Sequence, residues 1–251
     1  MMKWQFLGTG SVKAAPLFGC DCSVCVAAKV DSRKQRMPAS GLLSIDDLSI
    51  YVDAGRHDLA AIWTNNPPSL QLLTHYHMDH VQGLFPLRWG MGERVAVYSP
   101  NDEQGCDDLF KHPGLLDFTV KLMPFAAFSM GKLTITPLPL VHSKLTLGYA
   151  FDYAGKRLAY LCDSGMLRRD VVEFLGAQRL DVMILDCDLP PMPEAPRNHN
   201  DLTRALDIFV QLNPRQLWLT HISHTLDHYW LTNPDLPDGV HIAYDGDAIE
   251  L

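Results

Sequence analysis

The 251-residue chain reads as an α/β protein, two sheets packed face to face with helices outside, folded as one domain over residues 1–251. Short apolar runs recur along the whole length and are interrupted by helical stretches, the pattern of layered α/β architectures. Histidines and aspartates stand repeatedly where those runs end, at His75, His142, Asp163 and His221, where loops on one edge of such a scaffold bring distant residues together. No linker, low-complexity tract or charge block divides the chain.

Taken in order, Lys3 to Leu7 is a short strand. It is followed by the tight turn Gly8-Thr9-Gly10-Ser11, whose glycines either let N–H groups approach an anion or simply turn the chain. Gly19-Cys20-Asp21-Cys22-Ser23-Val24-Cys25 sets thiols at spacings of two and three, either suited to one tetrahedral zinc whose fourth ligand comes from elsewhere or simply buried or incidental. Gly41 to Ile45 and Leu48 to Val52 form a hairpin about Asp46-Asp47. Its second strand delivers Asp53, which either orients a metal-bound histidine or caps a turn. A helix or loop follows over Gly83 to Trp89, then a strand over Val95 to Tyr98 and a helix over Asp102 to Lys111, ended by Pro113-Gly114. Val120 to Met123 and Lys132 to Pro137 are strands, and Leu138-Pro139-Leu140-Val141 runs into His142. Leu147 to Tyr153 and Lys156 to Leu161 pair about Ala154-Gly155 and lead to Cys162-Asp163. Arg168 to Leu175 is helical, and the buried strand Val182 to Leu185 runs into Asp186-Cys187-Asp188. A proline-rich loop, Leu189 to Pro196, reaches Arg197-Asn198-His199-Asn200. Asn200 or Asp201 caps the helix Leu202 to Leu212, which Pro214 stops. Gln216 to Leu219 runs into Thr220-His221-Ile222-Ser223-His224, and Val240 to Ala243 and Ile249 to Leu251 close the chain as short strands.

Composition narrows the classes of function. With 47% hydrophobic and 20% charged residues the chain can bury a sizeable core. A formal net charge of −8 argues against a broad face for duplex nucleic acid, though not against a small anion at a site made positive by divalent ions. No apolar run approaches the ~20 residues of a membrane span. The opening Met1-Met2-Lys3-Trp4-Gln5-Phe6 lacks the apolar region of a secretory signal. Three of the six cysteines crowd together, unlike a disulfide framework, so reduced thiols and a cytoplasmic location are expected.

The stretch richest in chemistry is Leu72-Leu73-Thr74-His75-Tyr76-His77-Met78-Asp79-His80. Extended chain has a side-chain period of two, so His75 and His77 point the same way. A helix starting near Met78 then turns Asp79 and His80 toward the same cavity. Such a nitrogen-and-oxygen set suits a divalent metal. One catalytic zinc usually takes three protein ligands and keeps an open position, so four donors here point to two ions. His142, Asp163 and His221 are each weak signals alone. With His75, His77, Asp79 and His80 they supply enough donors for two ions sharing one carboxylate.

The pattern His75-x-His77-x-Asp79-His80, then His142, Asp163 and His221, preceded by Gly8-Thr9-Gly10 and Asp53, resembles the metallo-β-lactamase superfamily over nearly the whole chain. The resemblance implies an αββα four-layer sandwich. It implies one metal on His75, His77 and His142, a second on Asp79, His80 and His221, and Asp163 as the bridge. His75 to Gly90, Asp102 to Phe118, Pro196 to His199 and Leu219 to His224 look like the cyclic phosphodiesterases of the bacterial carbon–phosphorus lyase pathway. That resemblance implies hydrolysis of 5-phosphoribosyl 1,2-cyclic phosphate to ribose 1,5-bisphosphate with two active-site ions, manganese first and zinc second. It further implies a structural zinc on Cys20, Cys22, Cys25 and His224, and a homodimer. His199 matches the family's acid–base histidine, with substrate positioning or helix entry as its alternatives, and Asp79 is able to accept or relay a proton. Lys144, Arg88 and Arg197 are candidates for holding a terminal phosphate.

Three rival readings share these residues. A transfer-RNA 3′-processing endonuclease has the same metal core but grips its substrate with a long basic arm, and this acidic chain has no Lys/Arg-rich insertion. Thioester or lactone hydrolysis belongs to the same superfamily. A non-enzymatic metal-binding scaffold is opposed by the completeness of the ligand set, and fold alone separates none of them. The expected partner is a small cyclic phosphodiester, with neither a membrane nor a stable nucleic-acid complex.

Overall fold

In the computed structural model, which describes residues 1–251, alternation along the strands decides the layering. The first half supplies β1 (Met2–Gly8), β2 (Ser40–Ile45), β3 (Leu48–Val52), β4 (Leu70–Leu72), β5 (Val95–Pro100), β6 (Leu116–Asp117) and β7 (Lys121–Leu122). The second supplies β8 (Phe128–Met130), β9 (Leu133–Leu140), β10 (Thr146–Tyr153), β11 (Lys156–Leu161), β12 (Val182–Asp186), β13 (Gln216–Thr220) and β14 (Val240–Ile242), while β15 (Ala248–Glu250) returns to the first sheet. The sheet orders are β15-β1-β2-β3-β4-β5-β6, with β7 also beside β5, and β14-β13-β12-β11-β10-β9-β8.

Each sheet begins as an antiparallel meander and ends in parallel strands, from β3 through β5 in one and from β11 through β14 in the other. Parallel neighbours need crossovers, and helices provide them. The helices are α1 (Ser23–Val30), α2 (Leu59–Asn65), α3 (Met78–Val81), α4 (Leu84–Leu87), α5 (Asp107–Lys111), α6 (Arg169–Gly176), α7 (Leu202–Leu212) and α8 (His224–Trp230).

Odd and even positions of one strand enter different layers. On β11 and β12, Leu158, Tyr160, Val182 and Ile184 face the other sheet, whereas Ala159, Leu161, Met183 and Leu185 pack under the helices. The inter-sheet layer is aromatic: Trp4 lies 5.0 Å from Tyr160 and Phe6 lies 5.5 Å from Trp218, ring centre to ring centre. Helices α6 to α8 cover one outer face and α2 to α5 the other. This is the expected αββα sandwich.

Local chemistry accounts for details. β9 tolerates Pro137 and Pro139 because both pair with β10, while β8 reaches only as far as Ile135, so no neighbouring strand asks for the missing N–H groups. Asp201 caps α7 by accepting from the Arg204 N–H, and Asn213 ends that helix in the left-handed region. The expected helix over Asp102 to Lys111 shrinks to Asp107–Lys111. Asp102 Oδ1 accepts from the N–H groups of Gln104 and Gly105 at 3.0 and 3.1 Å, a local turn that competes with helix. The short helices α1, α2 and α8 and the strands β6 and β8 add to the elements the sequence predicts, and the Val120 to Met123 strand contracts to β7. The Gly8–Ser11 turn is no anion cradle. Gly10 donates to the Met37 carbonyl and Ser11 to the Ile222 carbonyl, and a Cβ on Gly8 would sit 2.0 Å from the Pro38 carbonyl oxygen. Its glycine serves close packing of the chain on itself.

Candidate metal-dependent active site

The parallel strands deliver the site at their carboxyl ends. Asp53 follows β3, residues 74–80 follow β4, Asp163 follows β11, Asp186 ends β12 and His221 follows β13, while His142 follows β9. Donor atoms of His75, His77, His142 and Asp163 lie within 4.8 Å of one another, as do those of Asp79, His80, Asp163 and His221. In the first set His77 Nδ1 is 2.9 Å from His75 Nε2 and 3.1 Å from His142 Nε2, and both of those nitrogens are 3.6 Å from Asp163 Oδ2. In the second, His221 Nε2 is 3.0 Å from Asp163 Oδ1 and His80 Nε2 is 3.4 Å from both Asp79 and Asp163. Asp163 belongs to both, as expected of a bridge.

The opposite ring nitrogens are anchored. His80 Nδ1 lies 2.8 Å from Asp53 Oδ2, and Thr74 donates its hydroxyl to the same carboxylate and lies 3.0 Å from His75 Nδ1. His142 Nδ1 lies 3.1 Å from the Asn198 carbonyl, and His221 Nδ1 faces Asp186 Oδ1 at 3.6 Å. Such partners fix ring orientation and leave one nitrogen for a metal. Of the two readings for Asp53, the structure selects the orienting role. Asp53 and His221 both hold φ of +60°, a conformation costing about 1–3 kcal/mol for a residue with a Cβ, which the surrounding site stabilises.

A fit to divalent ions follows from the donors themselves. His80 Nε2 and His221 Nε2 are buried without a hydrogen-bond partner, which a cation between them and the carboxylates would satisfy. Burial pushes Asp79 and Asp163 up, but the imidazoles of His80 and His221 outweigh it and hold both carboxyls below the usual range, ionised and able to ligate. Burial, helped by the neighbouring imidazoles of His80, His142 and His77, outweighs the Asp163 carboxylate and keeps His75 low, neutral and available as a donor. Imidazole with carboxylate suits zinc, manganese or iron. A separate cluster joins Cys20, Cys22, Cys25 and His224, with His224 Nδ1 3.6 Å from the sulfurs of Cys20 and Cys22. Burial raises the Cys22 thiol, yet hydrogen bonds led by that of His224 bring it to about 6, whereas burial pushes Cys25 to about 11. Three thiols and an imidazole are the donor types that suit a four-coordinate structural zinc.

His199 is outside the expected ligand set, yet a donor atom of its ring lies within 4.8 Å of donor atoms of Asp163, Asp186 and His221. Its Nδ1 is 2.9 Å from Asp186 Oδ2 and its ring stacks on His221 at 5.0 Å. It lines a cavity of about 350 Å³ with His77, Asp79, His142, Asp163 and His221. Asp186, fully buried, also accepts from the Ser164 N–H at 2.9 Å. Sequence reasoning gave Asp186 no role, although it ends a buried strand as Asp163 follows one. Arg88 is excluded from the site: its guanidinium bonds Asp108 and lies over Phe85 and Trp89.

Fold and site define a metallo-β-lactamase-type hydrolase. Residues 54–222, more than half of the chain, match the family model described as a β-lactamase superfamily domain, and the chain belongs to that superfamily. Within it the chain is PhnP-like. A crystal structure of a diphosphatase from the PhnP family is 26% identical, with all of this chain and 98% of that one covered at a TM-score of 0.81. The metallo-β-lactamase fold protein YhfI from Bacillus subtilis aligns over the whole of both chains at 19% identity and 0.76. The short form of human tRNase Z aligns over 99% of this chain and 98% of its own at 17% and 0.69. An octanoyltransferase from Porphyromonas gingivalis strain W83 is 29% identical over 98% of this chain, which spans about half (51%) of that relative's length. No helix is long and apolar enough to cross a membrane.

Proposed function

We propose that the protein is a binuclear-metal phosphodiesterase that opens 5-phosphoribosyl 1,2-cyclic phosphate to ribose 1,5-bisphosphate, a cytoplasmic step of phosphonate catabolism carried out by a homodimer. The observation that carries this reading is the convergence of His75, His77, His142, Asp79, His80 and His221 in two donor sets around Asp163. Those residues would hold two divalent ions, manganese before zinc, and Cys20, Cys22, Cys25 and His224 a structural zinc. When bound, the two ions supply a water nucleophile at neutral pH and neutralise charge on the attacked phosphate. The chain's own residues do the rest. The new bond joins the water oxygen to phosphorus, and the ring P–O bond on the opposite side breaks. Asp79 accepts the proton from the attacking water, and His199, oriented by Asp186, gives one to the departing sugar oxygen.

A second reading, cleavage of a diphosphate, is favoured by the diphosphatase activity named for the 26%-identical PhnP-family structure. It uses the same phosphorus chemistry. Processing of tRNA is opposed by the net charge of −8 and the absence of a basic insertion. Acyl transfer is not adopted from the octanoyltransferase, because about half of that protein has no counterpart here.

The test is a parallel assay of manganese-reconstituted protein on the ribosyl cyclic phosphate, a 2′,3′-cyclic nucleotide, a nucleoside diphosphate and precursor tRNA. The ribosyl cyclic phosphate is expected to give the highest kcat/KM. Preference for the diphosphate moves the assignment to the second reading, and preference for tRNA overturns both.

A further inference from the structure

We propose that Lys144 and Arg197 form a subsite for a second, terminal phosphate of the substrate, at the mouth of the active-site cavity and outside the metal centre. The proposal rests on the phosphodiesterase reading and specifies which residues select a phosphorylated sugar.

Two loops of the second sheet border the cavity, and each carries one of these cations next to a lining residue. Ser143 and Asn198 line the cavity, and Lys144 and Arg197 are their immediate neighbours in the chain. The loops are held together: His142 Nδ1 lies 3.1 Å from the Asn198 carbonyl, and Gly165 donates to the Val141 carbonyl at 2.9 Å. A Cβ on Gly165 would meet the Arg197 carbonyl oxygen at 3.2 Å and that of Val141 at 3.5 Å, so its missing side chain lets both loops approach. The Lys144 backbone is fixed in turn, its carbonyl accepting from the Thr146 hydroxyl at 3.0 Å.

Charge singles out this pair. Other cations near the site or suggested for it are already compensated: Lys13 by Asp188 at 3.9 Å, Arg36 by Asp227 at 2.7 Å and Arg88 by Asp108 at 3.3 Å. Lys144 and Arg197 enter no ion pair. In a chain of net charge −8, two uncompensated cations on adjoining loops beside an anion-processing cavity are complementary to a second anionic group. Arginine presents a fork that fits phosphate oxygens and lysine adds a point charge, the combination suited to a phosphate monoester.

The experiment compares KM and kcat of the metal-loaded full chain for ribosyl 1,2-cyclic phosphate with and without its 5-phosphate, for wild type, Lys144→Gln, Arg197→Gln and the double variant. Loss of one charge-assisted contact is expected to raise KM for the phosphorylated substrate by about ten-fold, with kcat changing less. The double variant is expected to lose most of the preference for the 5-phosphate. Equal factors on both substrates, or a preference intact in the double variant, overturn the subsite. A second readout survives failure of the substrate assignment: inhibition of bis(p-nitrophenyl) phosphate hydrolysis by ribose 5-phosphate relative to ribose. Wild type is expected to favour ribose 5-phosphate and the double variant to lose that preference. A preference unchanged by both substitutions overturns the proposal even if the natural substrate is another phosphodiester.

Discussion

Asp186 serves two neighbours from one buried position. It holds His199 Nδ1 at 2.9 Å through Oδ2 and faces His221 Nδ1 at 3.6 Å through Oδ1. Burial pulls the His199 imidazolium down, but the charge of Asp186 and its hydrogen bond outweigh that effect and hold His199 above the ordinary imidazole value. An acid catalyst works protonated, so activity should fall as pH rises through that elevated value. Asp186→Asn removes the raising charge and should move the alkaline limb of the kcat/KM profile to lower pH. A limb that stays in place would remove Asp186 as the support of the acid. His199→Ala tests the acid itself. Turnover should drop by about 10²–10⁴ on the cyclic sugar ester, whose leaving oxygen needs a proton, and far less on bis(p-nitrophenyl) phosphate, whose leaving group does not. Equal losses on the two would assign His199 to positioning.

At the scale of elements, α1 and α8 explain why a thiol cluster sits away from the chemistry. Eight and seven residues long, neither helix is stable by itself. Their starts are built from the cluster: Cys22 Sγ caps α1 by accepting from the Cys25 N–H, and His224 opens α8 beneath the Ser223 cap. The helices pack on each other, with Ser23 Oγ 3.2 Å from His228 Nδ1. A zinc held by these residues would tie α1 to the segment that carries His221 three residues earlier. Cys20→Ser should therefore cost the protein one zinc by elemental analysis and lower its melting temperature by roughly 5 °C or more, about 2 kcal/mol for a chain of this size. Full zinc content with unchanged melting would refute the structural role. The same helices mark where reading from sequence stopped. The strands and their terminal His and Asp residues were legible because a period of two and an abrupt polar ending are local signals. Helices α1, α2 and α8 were not, because tertiary packing stabilises such short segments and their sequence periodicity does not. At Asp102 the sequence suggests helix where the structure has a turn, because side-chain bonds to Gln104 and Gly105 replace the first helical turn. The role of Asp186 and the exclusion of Arg88 depend on partners distant in sequence, His199 and Asp108, that only the folded chain brings near.

Across the whole molecule, the donor sets straddle the seam between the two sheets. His75, His77, Asp79 and His80 come from the first sheet's crossover, and His142, Asp163 and His221 from the edge of the second. Ions bound there would add a link between halves already joined by apolar packing of side chains such as Trp4 and Tyr160 and by backbone hydrogen bonds such as Leu147 N–H to the Thr74 carbonyl. The unfolded chain has no such arrangement, so binding should stabilise the native state by mass action, about 4 kcal/mol at a thousand times Kd for one site. Added Mn²⁺ should raise the melting temperature of metal-depleted protein, and EDTA should reverse the gain. Because Asp163 enters both sets, Asp163→Ala should remove most of the increment, whereas His142→Ala, confined to one set, should remove part of it. Calorimetry at matched free Mn²⁺ distinguishes these cases. An increment that survives Asp163→Ala would place the stabilising ions elsewhere and dissolve the link between the shared carboxylate and the joining of the two sheets.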